Sequence, residues 1–168
     1  MTQSEIQRLI DSEQSTKKKK APYKKPESVK QFEQYEFEQR YKGRNIPEAV
    51  KVRNQYRDDT SNNLTKLIID YIKFKGGFST RITSTGTYRN DIKKFVKSTQ
   101  RKGMADIIAI LKKENGEPLS LSIEVKIGKD VQSEHQKKIE SEINEAGGKY
   151  MIAKNFDQFL FDFNRIIK

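Results

Sequence analysis

From residue 62 onward the apolar positions recur with two periods. Leu64, Leu67, Ile68, Tyr71 and Ile72 share one face of a 3.6-residue repeat, which predicts a helix over 62–75. Gly76-Gly77 ends it, because glycine takes the left-handed C-cap conformation without strain. Phe78, Thr80 and Ile82 then alternate with Ser79, Arg81 and Thr83, as in a half-buried strand. Residues 84–102 form a connection without a clear period. Met104 to Leu111 is mostly apolar and predicts a second strand, followed by an Asn115-Gly116 turn. Leu119, Leu121, Ile123 and Val125 alternate with Ser120, Ser122, Glu124 and Lys126. A strand has period two, so Glu124 and Lys126 project from the same face. Ser133 opens another helix, with Ile139, Ile143 and Ala146 on its inner face, ending at Gly147-Gly148. Tyr150, Met151 and Ile152 form a short strand. A last helix starts near Asn155 and buries Phe156, Phe159, Leu160, Phe163 and Ile167. The order helix, strand, strand, strand, helix, strand, helix predicts an α/β domain over 61–168, with a mixed central sheet flanked by helices.

The first 60 residues differ. A short amphipathic piece surrounds Ile6, Leu9 and Ile10. Six lysines and two prolines then fall within residues 17–26. Such a run does not pack, so residues 1–26 are expected to be a flexible lysine-rich arm, serving either phosphate contact or as a solvated linker. Residues 27–60 are expected to be a helical extension. One helix begins at Pro26 or Glu27 and carries Val29, Phe32 and Tyr35; another begins at Pro47 and runs through Ala49, Val50, Arg53 and Tyr56. The aromatic residues Phe32, Tyr35, Phe37, Tyr41 and Tyr56 are interleaved with charge. They either stack on bases or, the more ordinary use, dock the extension onto its own domain.

Composition narrows the function. Only 33% of the 168 residues are hydrophobic and 34% are charged. The net charge of +11 points to a polyanionic partner, nucleic acid before an anionic membrane surface, against the plainer reading of a soluble basic protein. With no cysteine, disulfide scaffolds, thiolate metal sites and cysteine nucleophiles are excluded. With His135 the single histidine, a histidine-rich zinc site is excluded too. No apolar run approaches a membrane span, so a cytoplasmic protein is expected. Charge also concentrates locally. Arg81, Arg89, Lys93, Lys94, Lys97, Arg101 and Lys102 are opposed only by Asp91, a surplus of +6 within 81–102. That segment leads directly into Asp106 and suits a phosphodiester substrate; otherwise it is a solvated loop.

Asp106 on one strand and Glu124-Val125-Lys126 on its neighbour have the residue types that metal-assisted phosphodiester hydrolysis needs. Mg²⁺ takes oxygen ligands and keeps several waters, so Asp106, Glu124 and the Val125 carbonyl suffice to hold it. Lys126 would orient or help deprotonate the attacking water, or offset charge in the transition state. The competing reading is a surface carboxylate with a cross-strand ion pair worth ~0.2–1 kcal/mol.

The runs R-I-T-S-T-G at 81–86, K-G-M-A-D-I-I-A-I at 102–110, I-E-V-K at 123–126, S-E-H-Q at 133–136 and A-G-G-K-Y at 146–150 resemble the VRR-NUC family, a branch of the PD-(D/E)xK nucleases. The resemblance runs in order over about residues 61–165. It implies a restriction-endonuclease-like αβββαβ core and a DNA endonuclease dependent on Mg²⁺ or Mn²⁺. It also implies Asp106, Glu124 and Lys126 as the catalytic set, joined by Gln136 from the following helix. Ser133-x-x-Gln136 is equally a capping box, and the two roles are compatible. His135 has no role in the family pattern and is expected on the exposed side of its helix. Two positions depart from that pattern. Ala105 stands where proline is common, and Asn62 or Asn63 stands where the first helix usually carries a glutamate. Asp70 lies two turns further along. An amide brings no charge, so weaker metal binding is expected. Branched DNA such as a Holliday junction, a homodimer, and a bacterial, phage-infected or virion-associated setting are the corresponding expectations. The alternative is a nucleic-acid-binding or phage structural or accessory protein on a decayed nuclease fold. RNA as the substrate is a third possibility.

Overall fold

Apolar burial and backbone hydrogen bonding divide the chain, in a computed structural model that describes residues 22–83 and 86–168, into four helices and six strands. In chain order they are α1 (Glu27–Tyr41), α2 (Ser61–Phe74), β1 (Phe78–Arg81), β2 (Thr87–Arg89), β3 (Lys94–Val96), β4 (Ile107–Lys112), β5 (Pro118–Val125), α3 (Glu134–Glu145), β6 (Lys149–Ala153) and α4 (Phe156–Ile166). The expected arm over residues 1–26, with its lysine run and the piece around Ile6, lies outside the described residues except for 22–26.

The strands β1, β4, β5 and β6 form one sheet in that order, and β2 and β3 form a separate hairpin. Pairs β1–β4 and β4–β5 are antiparallel, and β5–β6 is parallel, so the sheet is mixed. Parallel pairing requires a crossover, which α3 supplies. The register aligns Ile107 with Ile123, Leu111 with Leu119 and Ile123 with Met151. These odd-numbered positions, with Ala109, Leu121, Val125 and Ala153, make one apolar face, and α2 and α4 cover it. The even-numbered face of β5 and β6 lies on the side of α3.

Thr60 caps α2 and Asn155 caps α4, each accepting a backbone N–H from three residues on. Tyr71 of α2 meets Phe156, Phe159 and Phe163 of α4 edge-on at 5.5–5.8 Å between ring centres. Burying each phenylalanine contributes about 1.5–3 kcal/mol relative to leaving it exposed.

The N-terminal aromatic residues divide in their use. Phe32 and Tyr56 are buried in the same core as α2 and α4, and Phe32 lies 5.2–6.0 Å from the rings of Tyr56, Tyr71, Phe74 and Phe156. Tyr35 packs against Phe74, and Phe37 against Tyr41. The extension is therefore docked through its aromatic face. Several sequence expectations need correction. The helix expected after Pro47 is only a 3-10 turn, Glu48–Val50. The chain beyond it is irregular because side chains of α1 satisfy its backbone: Tyr41 Oη accepts the Val52 N–H, Arg40 donates to the Val52 carbonyl, and Glu33 accepts the Tyr56 N–H. The second strand starts at Ile107, not Met104, because the chain bends at Asp106 on entering the sheet. Ala146 is exposed at the C-cap of α3, and Leu160 and Ile167 are only half-buried at the margin of the core. The connection 84–102 contains the β2–β3 hairpin, whose three-residue strands are exposed on both faces and so carry no apolar alternation.

Asp58 joins three separate segments. Its buried carboxylate accepts the Tyr23 hydroxyl at 2.8 Å and the Phe156 N–H at the start of α4 at 3.2 Å. Burial, and then the carboxylate itself, push the Tyr23 phenol up to about 12. Asp58→Ala is expected to cost about 1–3 kcal/mol, by orphaning buried donors. Asp58→Asn, which keeps an acceptor, should cost less. Urea denaturation of both variants measures the difference.

Candidate active site

The β4–β5 register brings the site together. One step beyond the Ile107–Ile123 pair, Asp106 lies opposite Glu124, and both belong to the even-numbered face. Asp106 is fixed by the strand it faces, since its Oδ2 accepts the Val125 N–H at 2.9 Å. Val125 turns its own side chain into the core, and its carbonyl lies between Glu124 and Lys126 along the chain. Lys126 Nζ stands 3.1 Å from Glu124 Oε1 and 3.4 Å from Asp130 Oδ2. The Glu124 and Lys126 side chains are only 3% and 9% exposed, which sets them apart from an ordinary surface ion pair.

Gln136 closes the capping box and also reaches Glu124. Its Oε1 accepts the Ser133 N–H at 2.9 Å while Ser133 Oγ accepts the Gln136 N–H at 3.3 Å, completing the capping box of α3. Its Nε2 donates to Glu124 Oε1. The same amide thus closes the helix and grips the carboxylate. His135, its neighbour, is exposed.

Electrostatics follow from burial and proximity. Burial, with the negative charge of Asp106, raises the Glu124 pKa above the ordinary carboxylate range. Burial would lower the Lys126 pKa, but the hydrogen bond and charge of Glu124, with Asp130, outweigh it and leave the ammonium more firmly protonated. Tyr150 of β6 reaches within 3.5 Å of Glu124 Oε2, and burial next to that charge holds its phenol protonated. Sequence reasoning assigned neither Tyr150 nor Asp130. Strand pairing between β5 and β6 places Tyr150 beside Ser122, and one-dimensional spacing does not reveal that pairing. Asp130 lies four residues after Lys126, a spacing that carries meaning only once the turn is known.

The loop before Asp106 is tied to α3. Gly103 has φ +90°, and a Cβ there would lie 2.6 Å from the His135 backbone, so only glycine lets the two segments approach so closely. Arg101 pairs with Glu142 of α3 through both terminal guanidinium nitrogens. Among the basic residues of 81–102, Arg89 pairs with Asp91. Arg81, Lys93, Lys94, Lys97 and Lys102 are exposed and make no ion pair among the described residues.

Helix α2, where asparagines stand in place of the acid of the resembled pattern, brings no carboxylate to the site. Asn62 is exposed, Asn63 donates its amide to Asp59 at 2.8 Å, and Asp70 pairs with Lys66. Among the described residues no three histidine, cysteine, aspartate or glutamate side chains are grouped so as to hold a metal ion, and a candidate metal position has Asp106 and Glu124 alone as its carboxylates. No helix among them is long and apolar enough to cross a membrane. Compared with protein-family models, curated proteins and solved structures, the chain has no significant match in any of the three.

Proposed function

We propose that the chain is a metal-dependent DNA endonuclease of the VRR-NUC kind, built on a restriction-endonuclease-like core into which the β2–β3 hairpin is inserted. One observation carries the reading: Asp106, Glu124 and Lys126 converge on one sheet face, with Lys126 bonded to a buried Glu124 beside a second carboxylate. The donor set fits a hard divalent cation. All its ligands are oxygen, and the unfavourable proximity of Glu124 to Asp106 is what such a cation would relieve. Asp106, Glu124 and the Val125 carbonyl would hold Mg²⁺ or Mn²⁺. A bound ion would polarise the phosphoryl group and acidify a water.

Lys126 would orient the attacking water and offset charge building on the phosphoryl oxygens. Gln136 is a positioning residue that fixes Glu124, and Tyr150 supports the same carboxylate from the other oxygen. The exposed cations of 81–102 would follow the phosphate backbone.

The test incubates purified protein with linear, flap and junction DNA in Mg²⁺, Mn²⁺ or chelator, beside calorimetric titration of the two metals. Metal-dependent cleavage with a measurable metal heat supports the reading. The asparagines at the start of α2 favour one competing reading, a nucleic-acid-binding protein on a decayed nuclease fold. Salt-sensitive DNA binding with no metal heat and no cleavage would select it.

A further inference from the structure

The β2–β3 hairpin is an excursion rooted at the candidate site. The Ile82 N–H donates to the Asp106 carbonyl at 2.7 Å, so the chain leaves the sheet beside Asp106 and returns to the same residue after the hairpin. Every residue of β2 and β3 is exposed. A two-stranded ribbon is marginal alone in water, and its apolar side chains remain there without cover.

Its register puts the two rings on one face and leaves Val96 with the cations on the other. Tyr88 pairs with Phe95, so the two rings share one face, at 56% and 64% exposure. Arg89 pairs with Lys94, so two cations share the other face. The Phe95 ring lies close to the Gly86 backbone, where a Cβ would come within 2.6 Å of it, and the residue stays largely exposed. Lys93, in the turn, holds φ +49°, the one positive value outside glycine among the described residues. That left-handed residue closes the turn, as is common in hairpin loops of this length. Aromatic rings with unneutralised cations around them form a platform for unpaired bases: the rings stack, and lysines follow the phosphates.

We infer that this hairpin binds unpaired nucleotides of a DNA substrate, with Tyr88 and Phe95 stacking on bases and Lys93, Lys94 and Lys97 on the flanking phosphates. The inference rests on the DNA-cleavage reading for its location and deepens it. The preferred substrate is DNA with a single-stranded flap or an opened junction arm, rather than continuous duplex.

The test is fluorescence anisotropy of the full chain on a labelled single strand, a flap and a blunt duplex, in chelator. Wild-type protein should bind the single strand and the flap more tightly than the duplex. Tyr88→Ala with Phe95→Ala should weaken single-strand binding by about tenfold or more and duplex binding by less than about threefold. Tyr88→Leu with Phe95→Leu keeps apolar bulk on the ribbon and should lose the same preference, whereas Phe95→Tyr should retain it. Lys93→Ala with Lys94→Ala should weaken all three DNAs alike and flatten the salt dependence. Equal effects of the ring substitutions on strand and duplex, or wild-type binding by the leucine pair, would overturn the stacking assignment. So would a wild-type dimer that the leucine pair converts to a monomer, because the rings would then join two copies of this chain. No metal is present, so a protein that shows this preference but never cuts DNA loses the proposed reaction and keeps its base-binding arm.

Discussion

Lys126→Ala is expected to reduce metal-dependent DNA cleavage by roughly a hundred- to a thousandfold, the scale seen when one preorganised donor to a transition state is removed. Metal-free DNA binding should change by less than about threefold, because Lys126 is buried and other residues carry the exposed charge. Asp106→Asn should lose cleavage as severely while keeping its shape and an acceptor for the Val125 N–H. Single-turnover cleavage and chelator-containing binding assays measure the two quantities separately. Cleavage that survives both substitutions would remove these residues from the chemistry. Lys126→Ala carries a second signature. Glu124 already binds its proton more tightly in the folded chain than ordinary glutamate does, through burial and the charge of Asp106. The stability linked to that proton is full at pH below the ordinary glutamate range and falls as pH rises through the raised value. Removing the neighbouring ammonium raises that value further, so the variant should lose more stability at neutral pH than in acid. Urea denaturation at the two pH values checks the sign.

The second large effect is on folding. Phe32→Ala should cost about 3–5 kcal/mol, despite its place in a segment whose sequence looks like an appendage. The residue is 5% exposed, and its ring touches those of α2 and α4. A chain of this size loses about 2–4 °C per kcal/mol, so the melting temperature should fall by roughly 6–20 °C. Phe156→Ala should behave alike, since both rings belong to one cluster. Tyr35→Ala, at a half-exposed position, should stay within about 1 kcal/mol. If Phe32→Ala proves as mild as Tyr35→Ala, then residues 27–60 are an accessory and not a part of the core.

What the sequence disclosed about this molecule depended on how local the cause was. The helices α2, α3 and α4 were legible because their caps and apolar stripes lie within a few residues of each other. Strand β5 was legible because one apolar face alternates with a polar one. That Glu124 and Lys126 share a face followed from that period, while their chemistry was suggested by the resemblance. The meeting of Asp106 with Glu124 needed the antiparallel register, which the Asn115-Gly116 turn implies without fixing. Tyr150 needed a parallel pairing across α3, with no local mark at all. The hairpin was hidden for the opposite reason: its faces bury nothing, so alternation had nothing to report. The failed helix after Pro47 illustrates tertiary override, since residues of α1 offered that backbone better partners than its own carbonyls.

Gln136 has one side-chain amide, and both ends of it are engaged. Its oxygen holds the first turn of α3 and its nitrogen holds Glu124. One of the three contacts that align the carboxylate is therefore inherited from the winding of a helix, and fraying of that turn would leave Glu124 to Lys126 and Tyr150 alone.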